Sequence, residues 1–331
     1  TAADGEGGDT DDSDDDDDDF RRAAAASPPS SDAAAAADAA AAATVCSSEE
    51  VLRRAIEDRS LADYSLVLVV LGRLTELAAF LKKHGDAFAL KVKHVALFGA
   101  VCEHRRDALI RSTRSFDGGP FDGGEDEHFL KPDPLHPNHA GDLAAAEYCY
   151  ARLQQLAVPL VVVSKHAAYA AAVPATLYDD LARTNNPIAR ELRAEQRRGI
   201  DELWSRVNAP PGSARRGAGL AAHCDADWFR NLFCRETKRT PPSNGSPWDY
   251  ITSFALYDAV TIAAAVTDVR CRYFSENAEH EFDCGTATHY VFGQSSEIPG
   301  VRRPEELRKL LISASLAGVS VHPEPYPLLI F

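Results

Sequence analysis

Residues Pro132–Tyr169 read PDPLHPNHAGDLAAAEYCYARLQQLAVPLVVVSKHAAY, and three elements follow from them in succession. Leu143, Ala146, Tyr150 and Leu153 recur at helical spacing and put one apolar stripe on a helix that begins near Asp142. Val158–Val163 then runs apolar without alternation, the pattern of a strand buried on both faces. A second helix starts in the residues after it. A loop carrying Asn138 and an acid at the helix start therefore sits beside a buried strand, which is a natural position for a polar site.

Upstream, Ser65–Leu71 and Val92–Gly99 have the same buried-strand character, with an amphipathic helix over Leu74–His84 between them. This β-α-β order predicts adjacent parallel strands joined by a right-handed crossover. A first helix is expected near Ser48, with Glu49 and Glu50 in its first turn. Downstream, helices are predicted from Pro174 through Leu181 and over Pro187–Val207, Asp225–Phe233, Trp248–Val266 and Pro304–Leu316, the last with Gly318 beyond its end. Cys271–Phe292 alternates and is aromatic enough for two short strands. The fold class is α/β, an open, mostly parallel sheet flanked by helices, and ligands bind such sheets beyond the carboxyl ends of the strands. The positions that matter are then Leu71–Thr75, Phe98–Cys102, the loop into Asp142, and Ser164–Tyr169.

A chain of 331 residues that is 45% hydrophobic buries a full-sized core. Of the formal net charge of −15, 11 units come from residues 1–20, which hold no base. The rest is nearly neutral, with no basic stripe to track a nucleic-acid backbone. Residues 1–47 combine an Asp run, a Pro/Ser patch and an Ala-rich run, and are expected to lack fixed structure, with the folded domain over 48–331. The seven cysteines (Cys46, Cys102, Cys149, Cys224, Cys234, Cys271 and Cys284) are never spaced as CxxC and read as reduced thiols in a cytoplasmic protein. No apolar run is long enough for a membrane span, and no secretory signal opens the chain. The absence of any methionine, even at position 1, leads us to expect a fragment, a processed form or an incomplete reading of the gene.

Several side chains are candidates for chemistry. Gly72 and Thr75 lie in a strand-to-helix turn where a backbone can approach a ligand closely. Asp142 reads as a helix cap. Asp258 opens a helix of Ala, Val and Ile that should be largely buried, so it needs backbone donors or a metal as partner. Ser164, Lys165, His166 and Tyr169 follow a strand and line the cleft or cap a helix. His223, Cys224 and Cys234 offer the start of a zinc site but no second ligand pair, so buried thiols are the simpler reading. Trp204, Trp228 and Trp248 read as packing residues. The segment Glu103–His136, rich in Gly, Asp, His and Arg, is a loop of the length that either serves function or has no fixed structure.

Taken together, LVLVVLGRLTELAAFL, KVKHVALFGAV, NHAGDLAAAE and YDAVTIAAAV resemble, in order and spacing, motifs of the inosine/uridine-preferring nucleoside hydrolases. The resemblance covers roughly residues 48–320, with VPLVVVSKHAAYAAAVP, LYDDLA, CDADWFRNLFC and PGVRRPEELRKLL nearest a divergent eukaryotic branch. It implies hydrolysis of the N-glycosidic bond of a ribonucleoside, with Ca²⁺ orienting the ribose hydroxyls and an attacking water. Position by position, it makes the Leu71 carbonyl and Asp258 metal ligands, Asn138 a ribose contact, and Phe98 and Gly99 pocket lining. Tyr257 stands where active members carry the His that protonates the leaving base, and Arg73 and Glu76 replace Pro and Asn. The family's acidic cluster, which closes a buried strand, is matched at Asp9–Phe20 in composition alone. A small-molecule nucleoside and self-association are the partners implied. The rival reading is a catalytically inactive relative that binds or interacts.

Overall fold

The computed structural model describes residues 47–104, 130–217, 220, 224–235, 239–275, 281–283 and 287–321. The acidic tail with Asp9–Phe20 and Cys46, the centre of the Glu103–His136 loop, His223 and Cys284 lie outside the described residues. Two compact units form: one from the described parts of residues 31–193 and 253–331, the other from those of 194–252.

In the larger unit the elements are α1 (Ser48–Glu57), β1 (Leu66–Val70), α2 (Thr75–Lys91), β2 (Val92–Phe98), β3 (Val101–His104), β4 (Leu130–Pro132), α3 (Pro137–Ala140), α4 (Leu143–Gln155), β5 (Leu160–Val163), α5 (Lys165–Ala170), β6 (Val173–Pro174) and α6 (Thr176–Arg183). Helix α7 (Pro187–Val207) carries the chain into the smaller unit, which holds α8 (Ala226–Phe233) and a 3-10 turn (Trp248–Tyr250). The chain returns through β7 (Ser253–Phe254), α9 (Tyr257–Ala265), α10 (Thr267–Tyr273), β8 (Glu281–Asp283), β9 (Thr288–Phe292) and α11 (Pro304–Val321).

The main sheet has the order β1-β2-β5-β9-β8. Its first four strands are parallel to one another, and β8 runs antiparallel to β9 at the far edge. The sheet is therefore open and mostly parallel, with the β-α-β pair adjacent and parallel as expected. Both faces of β2 and β5 are covered, which explains strands that are apolar without alternation, whereas β1, expected to be buried as well, has no fully buried residue and leaves Val67 exposed at the sheet edge. Val95, Leu97, Leu160, Val162 and Val291 pack in one core with Leu77, Leu81 and Phe88 of α2 and Ala146 and Leu153 of α4. Ala96, Val161, Val163 and Phe292 pack in a second core with helices α5, α6, α9 and α11.

Local chemistry fixes the ends of the elements. The Ser47 side chain accepts from the Glu50 N–H at 3.2 Å and caps α1, one residue earlier than expected. Asp142 caps α4 through the Ala145 N–H at 3.2 Å. Helix α2 runs beyond the predicted end to Lys91, with a non-helical kink at His84 (φ −130°, ψ 17°). The predicted single helix Trp248–Val266 is broken: Thr252 N–H donates to Phe233 O at 3.0 Å, and Ser253–Phe254 pairs with Val173–Pro174, so only Tyr257–Ala265 is helical after the 3-10 turn. Cys271–Tyr273 belongs to α10 and not to a strand, because Arg270 N–H has already reached back to Val266 O at 2.8 Å. Gly318 lies inside α11 and does not end it; Asn186 Nδ2 holds the last turn through Val319 O at 2.9 Å.

Within the smaller unit Trp204, Trp228 and Trp248 are all buried. The Trp204 ring packs on Phe229 at 4.8 Å, and its Nε1–H donates to Pro242 O at 2.9 Å. Arg206 and Arg216 are tied to the backbone, to Arg216 O at 2.9 Å and Cys224 O at 3.0 Å respectively.

Leu97 has no exposed surface and lies where β2 meets α2 and α4. Leu97→Ala removes three buried carbons from a close-packed layer and is expected to destabilise the protein by about 2–5 kcal/mol, read as a fall in the urea midpoint at unchanged slope.

Candidate functional site

Three parallel strands end side by side, at Val70, Phe98 and Val163. Their last carbonyls need donors once the ladder stops. Gly99 N–H serves Val163 O at 2.9 Å. Asn138 serves the Phe98 carbonyl and the one just past the end of β1: its Nδ2 donates to Phe98 O at 3.1 Å and to Leu71 O at 3.3 Å. One amide thus spans the ends of β1 and β2. Both donors point at carbonyls, so Oδ1 is the atom left to accept.

The short helix α3 places that amide. His136 caps it, its Nδ1 accepting from Asn138 N–H at 3.3 Å, and Pro137 supplies the first helical position. Asn138 and His139 are buried. His139 Nδ1–H donates to Asp133 O at 2.8 Å, which leaves Nε2 as the buried acceptor without a partner in the structure. That atom faces Gly99: a Cβ on Gly99 would stand 2.8 Å from His139 Nε2 and 2.6 Å from Leu97 Cδ1. Gly99 is therefore required by the packing of β2 against α3. Burial holds the His139 imidazole below its usual 6.5, and burial does the same to His94, whose Nε2 bonds Ala265 O at 2.8 Å.

Phe98 is almost fully buried and starts a row of rings. His136 meets it edge-on at 4.9 Å between centroids, and Tyr257 lies on its other side at 5.2 Å. Tyr257 in turn meets Tyr169 at 6.0 Å, with the two hydroxyl oxygens 3.2 Å apart, and Tyr169 meets His166 at 6.3 Å. The row runs past the ends of β2 and β5. Ser164 caps α5 through His166 N–H at 3.3 Å, and its hydroxyl also donates to Gly293 O.

The fold thus brings together Leu71, Phe98, Gly99, Asn138 and Tyr257 from four separate stretches of sequence. Asp258 differs from the expectation of burial. Helix α9 turns Val260, Ala263 and Ala264 inward and leaves Asp258 and Ile262 exposed, four residues apart on its outer side. Asp142 is a cap that also accepts from Thr75 Oγ1 at 2.7 Å, and that bond holds its carboxyl below the usual carboxylate range. Tyr169 was legible only as a cleft residue; its link to Tyr257 joins positions 88 residues apart. The histidines of HPNH were passed over, although their three-residue spacing around Asn138 was the visible sign.

For Ca²⁺ the candidate ligands among the described residues fall short. The ion takes about 6–8 oxygens. The Leu71 carbonyl and Asp258 are the two that the resemblance assigns, and Asn138 turns N–H groups, not an oxygen, toward Leu71. Among the described residues no three His, Cys, Asp or Glu side chains converge to hold a metal ion. Cys224 and Cys234 are buried and outside any disulfide, and burial pushes the Cys234 thiol up to about 11. No helix among the described residues is long and apolar enough to cross a membrane.

No family model matches this sequence, and no curated protein does. Solved structures do match. The effector protein XOO4466 superposes with a TM-score of 0.61 at 26% identity, over 81% of this chain and 63% of its own. The type III effector protein XopQ, in complex with adenosine diphosphate ribose, gives the same TM-score of 0.61 and 26% identity, over 81% of this chain and 64% of its own. The chain therefore spans less than two thirds of the length of either effector. Nucleoside hydrolases are also among the structural neighbours at lower identity; the plant enzyme PpNRh1 has a TM-score of 0.40 and 15% identity over 83% of this chain.

Two outcomes follow from this packing. Gly99→Ala drives a methyl group into Leu97 and His139 and is expected to cost about 1–3 kcal/mol, measured by denaturant unfolding, with His139→Ala in the same chain recovering part of the loss. His94 and His139 are held neutral in the folded state while the unfolded chain protonates them near 6.5. Their contribution is complete above that value and is lost as pH falls through the lower folded-state values, so the melting temperature should be flat above about pH 7 and decline below about pH 6.

Proposed function

We propose that this chain is a nucleoside-hydrolase-like protein whose strand ends hold the ribosyl group of a small-molecule ligand, with N-glycosidic hydrolysis of a ribonucleoside as its reaction. The observation that carries the reading is the Asn138 amide: with both N–H groups spent on Leu71 O and Phe98 O, its Oδ1 is fixed as an acceptor. A ribose hydroxyl is the matching donor. The motif order around Leu71, Phe98, Asn138 and Tyr257 supports the same assignment, as does the ADP-ribose bound by XopQ, itself a ribosyl compound.

Cleavage needs the glycosidic electron pair to leave with the base, and Tyr257 is the residue placed to assist. Its phenol stabilises the departing base by donating a hydrogen bond. In the structure the Tyr257 hydroxyl donates to Tyr169 Oη at 3.2 Å, so it would turn from Tyr169 to reach the base, with Tyr169 then donating to it; Phe98 backs the ring. Activation of water requires a base and oxygen ligands supplied from outside the described residues, and no step is assigned to Ca²⁺. A cytoplasmic setting belongs to this reading through the five cysteines outside any disulfide among the described residues.

A second reading, binding of a ribosyl ligand without turnover, is favoured by one observation: Tyr257 stands where the resemblance places a histidine acid. Calorimetric titration with inosine, uridine and ADP-ribose, run beside a base-release assay with added Ca²⁺, separates the two. Binding with release supports hydrolysis, binding without release supports the second reading, and no binding of any of the three overturns both. Asn138→Ala should weaken binding by about tenfold, the worth of one hydrogen bond, and Tyr257→Phe should lower turnover more than affinity.

A further inference from the structure

The turn between β1 and α2 and the segment joining α3 to α4 run side by side at the carboxyl end of the sheet. Three contacts join them in order. Leu71 O accepts from Asn138 Nδ2 at 3.3 Å, Arg73 lies on Gly141, and Thr75 Oγ1 donates to Asp142 Oδ2 at 2.7 Å. The middle contact is tight: a Cβ on Gly141 would stand 2.4 Å from Arg73 Nε and 2.9 Å from its Cζ, so the guanidinium crosses bare backbone. Gly141 continues the helical conformation of α3 (φ −67°, ψ −24°) three residues beyond Asn138, a rise of about 4.5 Å. The Arg73 charge therefore stands about one helical turn from the Asn138 amide. Arg73 is an exposed residue, within reach of a solute. The carboxylate beside it, Asp142, has its oxygens engaged: Oδ2 by Thr75 Oγ1, and Oδ1 by Ala145 N–H at 3.2 Å. The Thr75 bond is the largest of the influences that hold that carboxyl low, and the Arg73 charge is the smallest.

We propose that Arg73 selects the substrate class of this site, a ribosyl compound that carries a phosphate on its ribose. The guanidinium donates two hydrogen bonds to phosphate oxygens while Asn138 Oδ1 accepts from a ribose hydroxyl. The proposal rests on the ribosyl reading of the site and narrows it from nucleosides to their phosphorylated forms. A planar fork of N–H donors matches the paired oxygens of a phosphate, and the bonds gain strength from the charge on both partners. The phosphate attached at the ribose C5′ lies one exocyclic carbon from the sugar, the kind of reach that separates Asn138 from Gly141. The β1–α2 turn then serves the ligand twice within three residues: Leu71 O orients the Asn138 amide, and Arg73 supplies the charge. The resemblance places a proline where Arg73 stands, and proline offers a phosphate no donor, so the preference belongs to this chain and not to the resemblance.

Calorimetric titration of the purified protein with adenosine, adenosine 5′-monophosphate and ADP-ribose tests the proposal. Both phosphorylated ligands are expected to bind at least about tenfold more tightly than adenosine, with the difference shrinking as salt screens the pair. Arg73→Gln should abolish the difference. Arg73→Lys should keep part of it, because an ammonium retains the charge and loses the fork. Asn138→Ala should weaken all three ligands and leave their ratios unchanged. Equal affinity for adenosine and the two phosphorylated ligands, or a preference that survives Arg73→Gln, overturns the inference and leaves the ribosyl reading standing. Failure of all three to bind overturns that reading and the inference with it.

Discussion

The candidate site depends on what happens to a parallel sheet where it stops. Adjacent strands about 4.8 Å apart end in carbonyls that point beyond the ladder, and burying them unpaired costs about 1–3 kcal/mol each. In this protein a single side-chain amide spans two of them. Asn138 can do so because His136 and Pro137 start a one-turn helix that sets it over the ends of β1 and β2. The same bonds that close the sheet orient the amide, so structure and recognition share one group. A carboxylate at this position would bring two oxygens to two carbonyl oxygens; an aliphatic side chain would leave both carbonyls unserved.

Around that clamp the surroundings are unusually aromatic. His136, Phe98, Tyr257 and Tyr169 are contributed by the loop before α3, the end of β2, the start of α9 and the helix after β5. A row of rings with hydroxyls at one end suits a ligand that is planar in one part and hydroxylated in another. Gly99 and His139 support the row from below, where the absence of a Cβ lets α3 sit directly on β2. The polar demand at this end of the sheet is thus met by the Asn138 amide and the Gly99 N–H, while the two phenols bond each other.

The architecture was readable from sequence wherever burial was complete. Val158–Val163 and Val92–Gly99 announce strands covered on both faces, and Asp142 announces a helix cap, because each of these signals is local. The reading failed where tertiary pairing overrode a local pattern. Trp248–Val266 looks helical until Ser253–Phe254 is drawn into pairing with Val173–Pro174, and Gly318 looks like a stop until Asn186 holds the turn beyond it. At the site, the residues of the resemblance were found singly, but their relations were not. That Asn138 reaches two strand ends, and that Tyr257 shares its hydroxyl with Tyr169, are facts about distant segments that no spacing encodes. Asp258 shows the limit from the other side: a helix rich in Ala, Val and Ile is expected to be largely buried, and the acid sits on its exposed side.

The central claim is that Asn138, fixed by the two strand-end carbonyls, receives the ribose of a ribosyl ligand. A crystal structure of the protein soaked with ADP-ribose tests it most directly. The account predicts a ribose hydroxyl within about 3 Å of Asn138 Oδ1, with the Nδ2 bonds to Leu71 O and Phe98 O intact and Tyr257 beside the sugar. Ligand bound elsewhere, or an amide rotated so that its N–H groups meet the ligand and the two carbonyls lose their donor, would contradict it.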